Sequence, residues 1–248
     1  MFFKKNLYRK IEKDLNNPKI NHNILSEADI KEIFEHLMSE EKIVLKNMIK
    51  MFLFDDHLYY HSMAVCCLAY YVAKQLGYDN NKVREIVVSG LIHDIGKTKL
   101  SRRLIKYKGK YSPEQYTKVK EHPTLGYELI LNKYPNINTD IVLNILDHHE
   151  KLDGSGYPNR KRAEELTEAS RIISVCDFYD AFVSNRSYHG ERTPPEGIRA
   201  LKEEVIGGHF DKRITSKVIK AIKENNNYDF RFETKRVPAG RESSGSRL

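Results

Sequence analysis

The sequence has no tryptophan, three cysteines, and no apolar run approaching the roughly 18 residues that a membrane-spanning helix needs. The missing apolar run makes a membrane role unexpected. Cys66, Cys67 and Cys176 include no Cys-x-x-Cys spacing, so neither a disulfide scaffold nor a structural zinc site is expected. They read as buried free thiols, which pack as small hydrophobes. The opening Met1-Phe2-Phe3-Lys4-Lys5 lacks the apolar core of a signal peptide, and the expected location is cytoplasmic. Internal repeats and the alternating pattern of strands are missing as well.

What is present suits a globular protein with a sizeable core, 40% apolar and 31% charged over 248 residues. The net charge is +8, but acids interleave with the basic residues in most segments. No aromatic-interleaved basic strip runs along the chain, so a nucleic-acid polymer is not an expected partner. The basic excess is clearest at Arg102, Arg103, Lys106, Lys108, Lys110, Lys118 and Lys120. That cluster either draws in a phosphate-bearing substrate or is a solvated loop.

Periodicity implies an all-α fold. Residues 1–24 read as a short helix and a loose link, followed by a capping box at Ser26 and Asp29 and helical patterns to about 53. His61, Val65, Leu68, Val72 and Leu76 then form one apolar stripe from about 56, closed by Gly77. A helix over about 81–94 carries Gly90, His93 and Asp94. Ser112-Pro113-Glu114-Gln115 starts another, which meets His122-Pro123 at a bend. Further helices run from about 138, over 167–184, from Thr193 to about 205, and over 211–224. The division expected is an N-terminal helical extension (1–55), a main domain (56–224) and a polar, disordered tail (225–248).

The histidines end apolar stripes. His61 heads one; His148 continues Ile141 and Ile145; His149 continues Val142 and Leu146. His93 and Asp94 sit about 100° apart at the end of their helix. An unpaired buried carboxylate is costly, so Asp94, and Asp177 within Ile172–Cys176–Asp177, each need a cation or metal. Five histidines (His61, His93, His122, His148, His149) and two aspartates (Asp94, Asp177) exceed one ion's needs. They suit two ions about 3.5–4 Å apart. Imidazole and carboxylate without thiolate favour Fe or Mn, leaving Zn open. The turn after His149, Asp153-Gly154-Ser155-Gly156-Tyr157-Pro158, uses glycine for positive φ and Pro158 to stiffen its exit.

The strings Leu91-Ile-His-Asp-Ile-Gly-Lys97, His122-Pro123, His148-His-Glu-Lys-Leu-Asp-Gly-Ser-Gly-Tyr-Pro158 and Arg171-Ile-Ile-Ser-Val-Cys-Asp177 resemble the HD-GYP subfamily of HD metal-dependent phosphohydrolases. The resemblance covers roughly residues 56–224. It implies an all-helical HD-domain bundle that hydrolyses the bacterial second messenger cyclic di-GMP to the linear dinucleotide pGpG, or onward to GMP. Attack would come from a hydroxide bridging two divalent metals. Asp94 would bridge the metals, Lys97 would assist catalysis, and Lys97, Tyr157, Arg186 and His189 would contact substrate.

Three departures stand out. His57 replaces the Glu of trinuclear members, which favours two ions and makes His57 the candidate contact for a third. Asn185-Arg186-Ser187-Tyr188 replaces Asp-Arg-Pro-Tyr, and His189 stands where a basic residue is common. Two alternatives stay open: hydrolysis of another nucleotide, or a non-catalytic cyclic-dinucleotide receptor. A homodimer or a signalling partner through the N-terminal helices also stays open.

Overall fold

In the computed structural model, residues 2–184 and 192–225 are described, and among them the chain is all helical. The sole strand-like pairing among these residues is one bridge, Asp153 to Arg162. Helices α1 (Phe2–Leu15), α2 (Pro18–Asn21), α3 (Glu27–Ser39) and α4 (Glu41–Phe54) precede the long α5 (Asp56–Gln75) and α6 (Asn80–Ile92). A 3-10 turn (Ile95–Lys99) leads to α7 (Arg102–Ile105), α8 (Pro113–Val119), α9 (His122–Lys133) and α10 (Thr139–Asp147). After the glycine turn come α11 (Glu168–Val183), α12 (Pro194–Ile206) and α13 (Lys212–Asn225).

Helix starts are satisfied locally. Ser26 with Asp29, Ser112 with Gln115 and Thr193 with Glu196 form reciprocal capping boxes. Asp79, Asn138 and Thr167 accept from backbone N–H groups of the first turns that follow them. Each cap satisfies a donor that has no partner within its helix. Gly77 closes α5 at φ 77°.

The bundle is built around α5. Its sequence shows one apolar stripe, yet Met63, Val65, Cys66, Cys67, Leu68 and Ala69 in succession are buried, as befits a helix covered on all sides. It packs against α2, α4, α6, α11 and α13. All three cysteines are free and buried. The first 24 residues differ from expectation: α1 is a 14-residue helix and a further helical turn, α2, replaces the loose link. Ile11, Leu15 and Ile20 from this region join the same hydrophobic core as α5, which is what orders it.

The helix carrying the His-Asp pair is shorter than its apolar pattern suggests. It stops at Ile92, His93 caps it, and Asp94 lies in the sparsely populated bridge region at φ −95°, ψ 7°. Gly96 sets the next contact: a Cβ there would stand 1.9 Å from the His122 carbonyl oxygen. The start of α9 is therefore pressed directly on the backbone after Asp94. Gly96→Ala is expected to destabilise the fold by about 2–3 kcal/mol through overpacking against rigid backbone. Denaturant unfolding checks this, and a loss under about 0.5 kcal/mol would show that the contact yields.

Candidate metal centre

Helix ends deliver most of the histidines. His93 caps α6, His122 opens α9 and His148 caps α10, while His61 projects from α5. In three of them Nδ1 meets the backbone carbonyl three residues earlier: Gly90 O at 2.8 Å, Val119 O at 2.7 Å and Ile145 O at 2.7 Å. A carbonyl only accepts, so Nδ1 carries a proton, and in the neutral ring Nε2 presents a lone pair inward. His61 is oriented through a carboxylate instead, with its Nδ1 2.6 Å from Asp180 Oδ2 and its Nε2 turned inward.

The inward-facing atoms are crowded, and those of His122, His148 and Asp94 are acceptors. His122 Nε2 stands 3.2 Å from His148 Nε2 and 3.1 Å from Asp94 Oδ1. Two nitrogens about 2.1 Å from one ion and at right angles would be about 3 Å apart, which this spacing matches. His93 Nε2 and Asp94 Oδ1 are buried with no hydrogen-bond partner. Such orphaned, converging polar atoms fit a cation that takes the place of any proton on the rings.

Asp94 faces both halves of the cluster. Its Oδ1 approaches His122 and, at 3.9 Å, His148, while Oδ2 lies 3.5 Å from His93 and 3.7 Å from His61. Lys97 Nζ also donates to Oδ2. Asp177 Oδ1 is 2.9 Å from His61 Nε2 and 3.6 Å from His93 Nε2; its Oδ2 is 3.8 Å from His149 Nδ1. Asp94, His122, His148 and His149 form one group of converging ligand atoms, with His61, His93 and Asp94 a second and His93, His148 and Asp177 a third. All seven residues expected as ligands are therefore brought together.

The local electrostatics divide the imidazoles. Burial opposes charge at His93, but the Asp94 and Asp177 carboxylates override it and raise its pKa to about 10. His61 is raised likewise, burial being overcome by Asp177 and Asp180. Burial, then the neighbouring His93 and His122, pushes His148 down to about 3. His149 is also held well below its ordinary value by burial and His148. Asp94 and Asp177 stay far below the usual carboxylate range: against the cost of burial, Lys97 and His93 hold the first and His61 and His93 the second.

The glycine turn forms the rim. Tyr157 stacks on His149 at 4.8 Å between ring centroids, and Lys120 Nζ lies 4.9 Å from the Tyr157 centroid. Gly154 has φ 81°, as expected of a turn glycine. Gly156 serves another purpose: a Cβ there would lie 2.4 Å from Glu150 Cα, so glycine is required by close approach rather than by positive φ. Glu150, 2% exposed, accepts from the N–H groups of Asn159 at 2.6 Å and Lys161 at 3.1 Å. Lys161 in turn pairs with Asp147 at 2.7 Å.

Residues 22–214 match the family described as HD domain. The chain belongs to the HD domain family. Its motifs are of the HD-GYP type. A cyclic di-GMP phosphodiesterase of Pseudomonas aeruginosa is 34% identical over 72% of this chain and 42% of that protein. A 3′3′-cGAMP-specific phosphodiesterase of Vibrio cholerae is 28% identical over 75% of this chain and 44% of that protein. The chain thus spans less than half the length of these relatives. A HDG"Y"P protein from Bdellovibrio bacteriovorus shares the fold, with a TM-score of 0.58 at 19% identity over 88% of this chain and 69% of that one.

Within this HD domain, some expected residues fall elsewhere. His57 is not among the converging ligand groups of the described residues; it lines a cavity of about 260 Å³ beside His61. Arg186 and His189 lie outside the described residues. Sequence reading missed Asp180 as the partner of His61, Glu150 as the anchor of the turn, and His22, which approaches Asp180. Asp180 was visible only as a second carboxylate three residues after Asp177. Among the described residues no helix is long and apolar enough to cross a membrane.

Because His61 and His93 have raised pKa values, a metal must displace their protons, and its affinity falls as pH falls. Mn²⁺ titrations from pH 6 to 8 are expected to show affinity rising about tenfold per pH unit for each proton displaced. Affinity independent of pH would contradict the arrangement.

Proposed function

We propose that this HD domain is a divalent-metal-dependent phosphodiesterase that opens cyclic di-GMP to the linear dinucleotide pGpG. The observation that carries the reading is Asp94, one buried carboxylate whose two oxygens face separate groups of inward-pointing imidazoles. Asp94, His61, His93, His122, His148, His149 and Asp177 would hold two ions, Fe or Mn. Bound there, they would supply charge neutralisation and an activated water for in-line displacement at phosphorus.

The chain's own residues supply the rest. Asp94 and Asp177, kept ionised, place negative charge where cations are to be held. His148 and His149, kept neutral, offer lone pairs without first losing a proton. Lys97, beside Asp94, is placed to counter charge on a phosphoryl oxygen. Lys120 and Tyr157 at the rim present a cation and an aromatic face to a nucleotide. Arg186 and His189 complete the proposed substrate contacts.

A second reading keeps the chemistry and changes the base: the 3′3′-cGAMP-specific relative makes that dinucleotide the alternative substrate. Anaerobic purification with Fe²⁺ or Mn²⁺, followed by product analysis with both dinucleotides, separates the two. The expected result is linear pGpG from cyclic di-GMP. Turnover of 3′3′-cGAMP without cyclic di-GMP would select the second reading, and turnover of neither would remove both. Asp94→Asn is expected to lower activity by more than about 100-fold, beyond the loss for an outer-shell partner. Lys120→Ala is expected to raise KM about fivefold with little change in kcat, as for one solvent-screened charge contact worth roughly 1 kcal/mol. A fall in kcat alone would place Lys120 outside substrate binding.

A further inference from the structure

The N-terminal helices reach the outer shell of the metal centre. Helix α2 ends at His22, whose backbone is left-handed at φ 52°, ψ 18°. This conformation is uncommon for a residue with a side chain. It turns the imidazole into the protein, tilted against Tyr179 at 5.6 Å between centroids. Its Nε2 comes to 3.2 Å from Asp180 Oδ1, an ion-pair contact rather than a formed hydrogen bond. Asp180 is 1% exposed, and its other oxygen is the one that takes the His61 Nδ1 proton at 2.6 Å. Ser184 Oγ donates to Oδ1 at 3.0 Å. A buried carboxylate is therefore clamped between two imidazoles, one from α5 and one from the end of α2.

We propose that His22 is a positioning residue for His61, acting through Asp180. Ser184, one turn away on the same helix, and His22, from the end of α2, both hold Oδ1, and the contact from outside α11 fixes the plane in which the carboxylate accepts from His61. That fixes the tautomer of His61 and the direction of its Nε2 lone pair. Partners of this kind change metal affinity by about 10–100-fold. Asn17, Lys19 and Ile20 of the same segment line the 260 Å³ cavity beside His61 and His57, so α2 also walls this side of the centre. Any event that shifts α2 is consequently coupled to metal affinity, and metal binding to the position of α2. The proposal rests on the metal-centre reading and not on the identity of the substrate.

The test uses the full chain, stripped of metal by chelation and titrated calorimetrically with Mn²⁺. His22→Phe keeps a ring against Tyr179 and removes both nitrogens, whereas His22→Gln restores an N–H donor near the position of Nε2. The Phe variant is expected to bind Mn²⁺ about tenfold more weakly or worse, and the Gln variant to recover most of that loss. The metal-free Tm of both should stay within about 2 °C of the parent, less than a 1 kcal/mol loss causes in a domain of this size. A Phe variant that binds Mn²⁺ as tightly as the parent overturns the proposal. So does weaker binding accompanied by an equivalent loss of metal-free stability, which marks a packing role. If the parent itself binds no Mn²⁺, the metal-centre reading fails first, and the two failures are told apart.

Discussion

With their Nδ1 protons committed outside the centre, His61, His93, His122 and His148 all turn Nε2 toward one small volume, where two carboxylates also point. Acceptors at 3.1–3.2 Å with no proton between them repel unless positive charge lies among them. This constraint accounts for much of the fold around the centre. Helix α6 stops at Ile92 so that His93 caps it, and α10 stops at Asp147 so that His148 does the same. In both cases a last-turn carbonyl, which has no partner within its helix, becomes the acceptor that orients the ring. Gly96 lets α9 approach closely enough to bring His122 to the same point.

The rim is built separately from the ligands, on its own acidic anchors. Glu150 gathers the returning strand of the turn through two backbone N–H groups, and burial raises its pKa despite them. Asp147 pairs with Lys161 from the same return. Tyr157 is thereby laid flat on His149, the most accessible of the seven, so the ligand set and the rim meet at a single stacked pair.

The convergence of the candidate ligands was legible in the sequence because burial of the helix stripes aims whatever polar residue ends them. Capping boxes at Ser26, Ser112 and Thr193 were equally legible, since their chemistry is local. What escaped was non-local. Nothing in α2's sequence says that His22 adopts a left-handed backbone and meets a carboxylate 158 positions later. Gly156 read as a turn glycine because close approach to Glu150 leaves no local signature. The all-round burial of α5 was hidden for the same reason: a stripe records one neighbour, and α5 packs against α1, α2, α4, α6, α11 and α13.

Two ions are expected, one on either side of Asp94. A crystal structure of the Mn²⁺-loaded protein, with anomalous differences measured at the manganese edge, tests it most directly. Two peaks are expected about 3.5–4 Å apart, each within coordination distance of one Asp94 oxygen. One would be bounded by His122 and His148 and the other by His61 and His93. A single peak that does not touch Asp94, or none at full Mn²⁺ loading, would contradict it.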